Sequence, residues 1–156
     1  DYAYAQERLA PARLTHCMRW LGQARPAHDI APDYPRRRYA HGKPLAEHQG
    51  WRWRLAEAAT ELAASRLLVA QAAEQIEAGA DAQLAAAQAK LFATRMAERQ
   101  LPALAQAMGA EGLRDHHPFG RHLAGARVAC FVDGSSEMLL ERIAALQRAA
   151  PYAGKP

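Results

Sequence analysis

Leu55, Leu62, Val69 and Ile76 recur every seven residues, and nothing else in the chain restricts its fold as strongly. That period keeps one stripe of a long helix facing a partner over residues 44–78. Ala58, Ala59, Leu68 and Ala72 widen the stripe. A helix of that length cannot bury its stripe alone, so other helices must cover it. A second long pattern supplies one over residues 82–108. Its large apolar groups are Leu84, Leu91, Phe92, Leu101, Leu104 and Met108, with alanines filling the inner face and permitting close approach. Gly79 stops the first of these helices and Asp81 can cap the second. The joint from Gly79 to Asp81 is so short that the two must run antiparallel. Half the 156 residues are hydrophobic but only 7% are aromatic, which suits close-packed helices better than a β-sandwich. No run makes a convincing sheet. The expected architecture is all-α: a single domain built as a four-helix-type up-down bundle.

The flanks are less regular. Residues 1–11 read as a lead-in, with Pro11 marking the turn into a helix that carries Leu14, Cys17, Met18 and Leu21 at helical spacing. Pro26, Pro32 and Pro35 then fall where that helix should continue. An interior proline costs roughly 3 kcal/mol, so a kink or interruption is expected between Pro26 and Pro35, and Pro102 threatens another. Trp51 and Trp53 cannot share a helix face; one belongs to the core, the other to a loop or interface. Beyond Gly109 and Gly112 lies a loop with Arg114, Asp115, His116, His117 and Pro118. A short helix over 119–128 follows. A last helix starts near Ser135 or Ser136 and carries Leu139, Ile143 and Leu146. The bundle spans residues 12–150 and leaves a tail at 151–156.

The net charge of +4 is modest and its arginines are dispersed. No helix-turn-helix, zinc or RNA-binding signature accompanies them, so nucleic acid is not indicated as a partner. Cys17 and Cys130 lack metal-ligand spacing, and a reduced, cytoplasmic compartment is expected. The adjacent His116 and His117 have no third ligand at a recognisable spacing, so no metal is assigned. No apolar run approaches a membrane span and no signal peptide is evident. The first residue is Asp, which suggests a piece of something longer.

Three motifs could carry chemistry. The first is the basic corner from Arg36 through Gly42, Lys43 and Pro44 to Gln49. Physically, Gly42 reads as a helix stop, Pro44 as the first turn of the next helix, and Arg36 to Arg38 as cations suited to a closing turn. The second runs Gln106-Ala-Met-Gly-Ala-Glu-Gly112, where Gly109 alone would serve as a helix stop. The third is Val132-Asp133-Gly134-Ser135-Ser136-Glu137, whose plain structural reading is a helix cap. In order and spacing, over roughly residues 8–148, these resemble the C-terminal helical domain of FAD-dependent acyl-CoA dehydrogenases.

That resemblance implies α,β-desaturation of an acyl-CoA thioester. Asp133 is then the base that removes the α-proton while the β-hydride passes to flavin. A closed apolar site suits a carboxylate to that task by raising its pKa. The enolate oxygen needs donors, which the resemblance assigns to the base's own backbone N–H and a ribityl hydroxyl. Arg38, His41, Gln49, Gln106, Gly109, Gly112, Ser135 and Glu137 fall on cofactor-side positions, serving the FAD of an adjoining subunit. Glycine there lets backbone approach the cofactor. Arg13 and Gly134 fall on the substrate side, although a solvent-facing Arg13 is the plainer reading. The implied partners are an acyl-CoA, further copies in a dimer or tetramer, and the family's N-terminal helical and middle β domains, which 156 residues cannot include. Departures from the pattern are the prolines before Arg38, His41 in place of Phe or Tyr, Ala110 in place of a second glycine, and Asp133 one methylene shorter than the usual Glu. The prolines, His41 and Ala110 keep open the alternative of a helical assembly domain that has lost cofactor chemistry; the basic charge leaves a weaker one, a helical nucleic-acid binder.

Overall fold

The structure, a computed structural model, describes residues 2–149, the side chains of residues 2–7 and 121 excepted. The expected tail at 151–156 lies outside that range. Six α-helices account for most of the described residues: α1 (Tyr2–Ile30), α2 (Asp33–Arg37), α3 (Gln49–Glu77), α4 (Gln83–Met108), α5 (Pro118–Ala129) and α6 (Ser136–Ala149). Between α2 and α3 lies a small antiparallel hairpin, β1 (Tyr39–Ala40) and β2 (Lys43–Pro44), followed by a 3-10 turn, Leu45–Glu47. A second 3-10 turn, Gly109–Leu113, follows α4.

The heptad stripe forms the expected seam. Leu62, Val69, Ala58 and Ala72 are buried on α3, while Leu55 and Ile76 pack partly against the core. Trp51 and Ala58, early in α3, share one core cluster with Leu101, Leu104 and Met108, late in α4, whereas Val69 and Ala72 share the other with Ala85, Ala86 and Ala89. Residue numbers thus fall on α4 as they rise on α3, and the helices are antiparallel. Gly79, at φ +68, ends α3 by accepting the left-handed conformation that a side chain disfavours. The Gln83 N–H donates to Asp81 Oδ1 at 3.0 Å, the expected cap of α4.

Helix α4 is the centre of the molecule and packs against α1, α3, α5 and α6. Ala85, Ala86, Ala87, Ala89, Ala93, Ala97 and Ala105 are all buried along it. Small side chains on several faces let four neighbours approach one axis. The core has two parts. One joins α1, α3 and α4 around Leu14, Cys17, Leu21, Leu62, Val69 and Met96. The other gathers Trp20, Trp51, Leu101, Leu104, Met108 and Phe119 at the opposite end.

Three local expectations need correction. Pro11 does not mark a turn, because α1 is already helical from Tyr2 and carries both Pro11 and Pro26 inside it. Pro26 deprives only the Gly22 carbonyl of its donor. Gly22 is exposed, with open space about it, so water and the proline ring both fit. The break comes where Pro32 follows Ala31, within the expected Pro26–Pro35 interval, and Pro35 is buried in α2. Pro102 likewise stays inside α4 on an exposed position.

The corner is the third correction. Gly42 stops no helix: α2 has already ended at Arg37, and Arg38 is extended. His41 (φ +51) and Gly42 (φ +80) form a two-residue hairpin turn with both φ positive, the geometry that matches strand twist. Pro44 closes strand β2 rather than opening α3. Among the described residues, the expected absence of sheet therefore fails only at these four paired residues. Of the tryptophans, Trp51 is buried and Trp53 is 62% exposed.

Candidate functional site

The turn between α5 and α6 carries the carboxylate at issue. The Ser136 N–H donates to the Cys130 carbonyl at 3.1 Å, and the Leu139 N–H to the Ser135 carbonyl at 2.9 Å. The Met138 N–H donates to Ser135 Oγ at 3.3 Å. Ser135, not Asp133, is therefore the residue that caps α6. Asp133 sits just before it at φ +55, followed by Gly134 at φ +108. Two successive left-handed residues turn the chain sharply, and Gly134 would admit no other residue without strain. Among the described residues the Asp133 carboxylate accepts no hydrogen bond and joins no ion pair.

Two cations from other helices hold this turn by its backbone. Arg13 Nε, from α1, donates to the Asp133 carbonyl at 3.2 Å. Lys90 Nζ, from α4, donates to the Gly134 carbonyl at 2.6 Å. Arg13 is buried, against its solvent-facing reading, and Lys90 is fully buried. Burial lowers the pKa of both, offset in part by the negative charge of Asp133. His16, lowered chiefly by burial, also feels Asp133. Cys17 shares the space with Lys90, and burial pushes its thiol up to about 12.

A cleft of about 390 Å³ opens beside the turn, lined by Arg13, Gly134, Met138, Leu139, Glu141 and Arg142. Arg142 hydrogen-bonds Gln83, while its buried Nε has no partner among the described residues. The turn thus sets the Asp133 carboxylate next to a cleft whose charged lining is Arg13, Arg142 and Glu141.

Of the sequence candidates, Asp133, Gly134 and Arg13 come together here, with Ser135 and the exposed Glu137 at the start of α6. Glu137 is held below its ordinary pKa by its own backbone N–H and by Ser135. The others lie elsewhere. Arg38, His41 and Gln49 are exposed at the hairpin corner, where the His41 ring meets His48 edge-on at 6.2 Å. The Leu45 N–H donates to the Arg38 carbonyl at 2.8 Å, which keeps the corner closed. Gln106 and Gly109 are exposed at the end of α4 and line a second cleft with Pro102, Ala110 and Leu123. Leu45 and Tyr34 of the corner pack on the core part that contains Leu104 and Met108, so corner and exit loop share one end of the bundle.

The glycines of the exit loop have reasons internal to the chain. A Cβ on Gly112 would stand 2.6 Å from the Ala105 carbonyl oxygen. Gly109 has φ +64 and ψ −145, a region nearly reserved for glycine.

Lys90 and Arg142 were not among the sequence candidates. A signal for Lys90 existed: it falls in register with Ala86, Ala93 and Ala97 on the small-residue face, where a solvated lysine has no place. Arg142 gave none, being one arginine among many on an amphipathic helix.

A family model described as acyl-CoA dehydrogenase, C-terminal domain, matches residues 2–147. A 3-sulfinopropanoyl-CoA desulfinase of Advenella mimigardefordensis is 36% identical over 80% of this chain and 31% of its own. Butyryl-CoA dehydrogenase from Megasphaera elsdenii superposes with a TM-score of 0.89 at 28% identity, over 95% of this chain and 39% of that one. A glutaryl-CoA dehydrogenase from Mycobacterium smegmatis, in complex with FADH2, gives 0.83 at 26% identity, over 92% and 38%. The chain thus spans about a third of the length of that desulfinase and under two fifths of either dehydrogenase.

Proposed function

Because the chain belongs to the acyl-CoA dehydrogenase family, as its C-terminal domain, we propose that it supplies the catalytic base of an acyl-CoA α,β-desaturase. The observation that carries this reading is the Asp133 carboxylate, which accepts no hydrogen bond among the described residues. Ser135 has taken the capping role, so Asp133 is not needed to start α6, yet Arg13 and Lys90 both hold its turn in place.

The α-proton of the thioester passes to the Asp133 carboxylate, and the electron pair of the broken Cα–H bond, delocalised transiently onto the carbonyl oxygen, forms the Cα=Cβ double bond as the β-hydride departs. The charges of Arg13 and Lys90 favour the negative charge that develops on the thioester oxygen. FAD, when bound, supplies the acceptor for that hydride. The chain's donors suit such an anionic dinucleotide. Arg38 is exposed and joins no ion pair among the described residues, and Gln49 and Gln106 present exposed amides. With His41, Gly109, Gly112, Ser135 and Glu137 they would serve the cofactor of an adjoining copy, Gly112 by shaping the loop. The acyl pocket belongs to the parts of the protein beyond this bundle, so the isolated chain should be inactive.

In the full-length protein, Asp133→Asn should cut desaturation by about 10²–10⁴-fold while flavin content stays unchanged. Arg38→Ala should lower flavin retention with the base intact. Full turnover by Asp133→Asn would place the base elsewhere. If neither change alters flavin content or rate, the chain is an assembly domain without cofactor chemistry.

A further inference from the structure

We propose that Glu111, His116 and His117 form a binding site for a divalent first-row transition-metal ion such as Zn²⁺. The loop after α4 folds back through two successive turns. The Arg114 N–H donates to the Glu111 carbonyl at 3.1 Å, and the His117 N–H to the Arg114 carbonyl at 3.0 Å. Pro118 and Phe119 are buried immediately beyond and anchor the loop's end. This brings both imidazoles to one carboxylate oxygen: His117 Nε2 lies 3.2 Å and His116 Nε2 3.3 Å from Glu111 Oε1.

Donor atoms sharing one zinc ion at its usual bond lengths stand about 3.4 Å apart in tetrahedral geometry. Two of the three separations already meet that distance, and all three donor atoms lie within 4.8 Å of one another. The remaining adjustment falls on His116, whose side chain is 60% exposed and can rotate. His117 is the fixed ligand, its ring 6.2 Å from that of Phe119. Arg114 Nη1 donates to Glu111 Oε2 at 3.3 Å. That bond orients the carboxylate and leaves Oε1 to the metal, though its charge also tempers affinity. Two imidazoles and one carboxylate select a borderline ion over Mg²⁺ or Ca²⁺, which prefer oxygen. Solvent completes the coordination on the open side. The site does not depend on the dehydrogenase chemistry proposed above.

The test is titration of the intact, chelator-stripped protein with Zn²⁺, with Co²⁺ for its visible absorption and Mg²⁺ as the hard-ion control. Uptake of one Zn²⁺ per chain is expected at this site. Loss of an orienting partner alone costs about 10–100-fold in metal affinity, so His116→Ala and Glu111→Gln should each weaken binding at least about tenfold. His116 is exposed, so its replacement tests the site without endangering the fold. No Zn²⁺ uptake by the wild type, an unchanged affinity in His116→Ala, or equal uptake of Mg²⁺ would each overturn the proposal.

Discussion

Lys90 and Cys17 lie close enough to couple electrostatically, and their protonation moves stability in opposite directions. Burial lowers the folded-state pKa of Lys90 below its ordinary 10.5. Between those two values the unfolded chain holds more protons, so this contribution raises stability as pH climbs. Cys17 goes the other way: from its ordinary 9.0 up to about 12, the folded chain holds the extra proton and stability falls with rising pH. Denaturant titrations from neutrality to about pH 10.5 should therefore show Lys90→Met losing the rising component. Cys17→Ala should lose the falling one and become the more alkali-resistant protein. The exit loop offers a second residue-level test. Gly112→Ala forces a Cβ against helix backbone 2.6 Å away and should destabilise by about 1–3 kcal/mol. Gly109→Ala meets nothing within 4 Å and should cost a similar amount through backbone strain alone. Thermal or chemical melting separates either from a change in flavin content, and unchanged melting in Gly112→Ala would refute its packing role.

At the scale of elements, hydrophobic period outweighed local propensity at three prolines, while Pro32 interrupted the helix as its propensity requires. Pro11, Pro26 and Pro102 all lie within helices because each sits on an exposed position while the opposite face is buried. The interior-proline penalty is about 3 kcal/mol, and Pro102→Ala should recover part of it, read as a higher melting temperature; a lower one would mean the ring supports the loop after α4. The corner between α2 and α3 followed a different logic. A glycine after a basic run reads equally as a helix stop or a hairpin turn. The bond from the Leu45 N–H to the Arg38 carbonyl and the one between His48 Nε2 and the Ala40 carbonyl decide for the hairpin. Neither is visible in a local pattern.

The whole molecule leaves large apolar groups in solvent: Trp53, Tyr39, Leu67 and Met18 are each more than half exposed. Among the described residues no helix is long and apolar enough to cross a membrane. Cover for these groups is expected from the rest of the family's architecture. Trp53 fluorescence in a Trp20→Phe, Trp51→Phe background should be readily quenched by acrylamide in the isolated chain and shielded in the full-length protein; equal quenching in both would show that this face stays open. What the sequence determined by itself is the bundle, because a seven-residue apolar period and an alanine-rich partner leave long antiparallel helices as the one way to bury both stripes. The motif order singled out Asp133 only as a candidate base, and a lysine in an alanine stripe could have marked Lys90. Only the tertiary structure decided that Ser135 rather than Asp133 caps α6, that Arg13 turns inward to the Asp133 carbonyl, and that Glu111 meets both histidines. Those outcomes depend on which backbone groups are left without partners once helices from distant parts of the chain have packed, and that is a property of no single stretch.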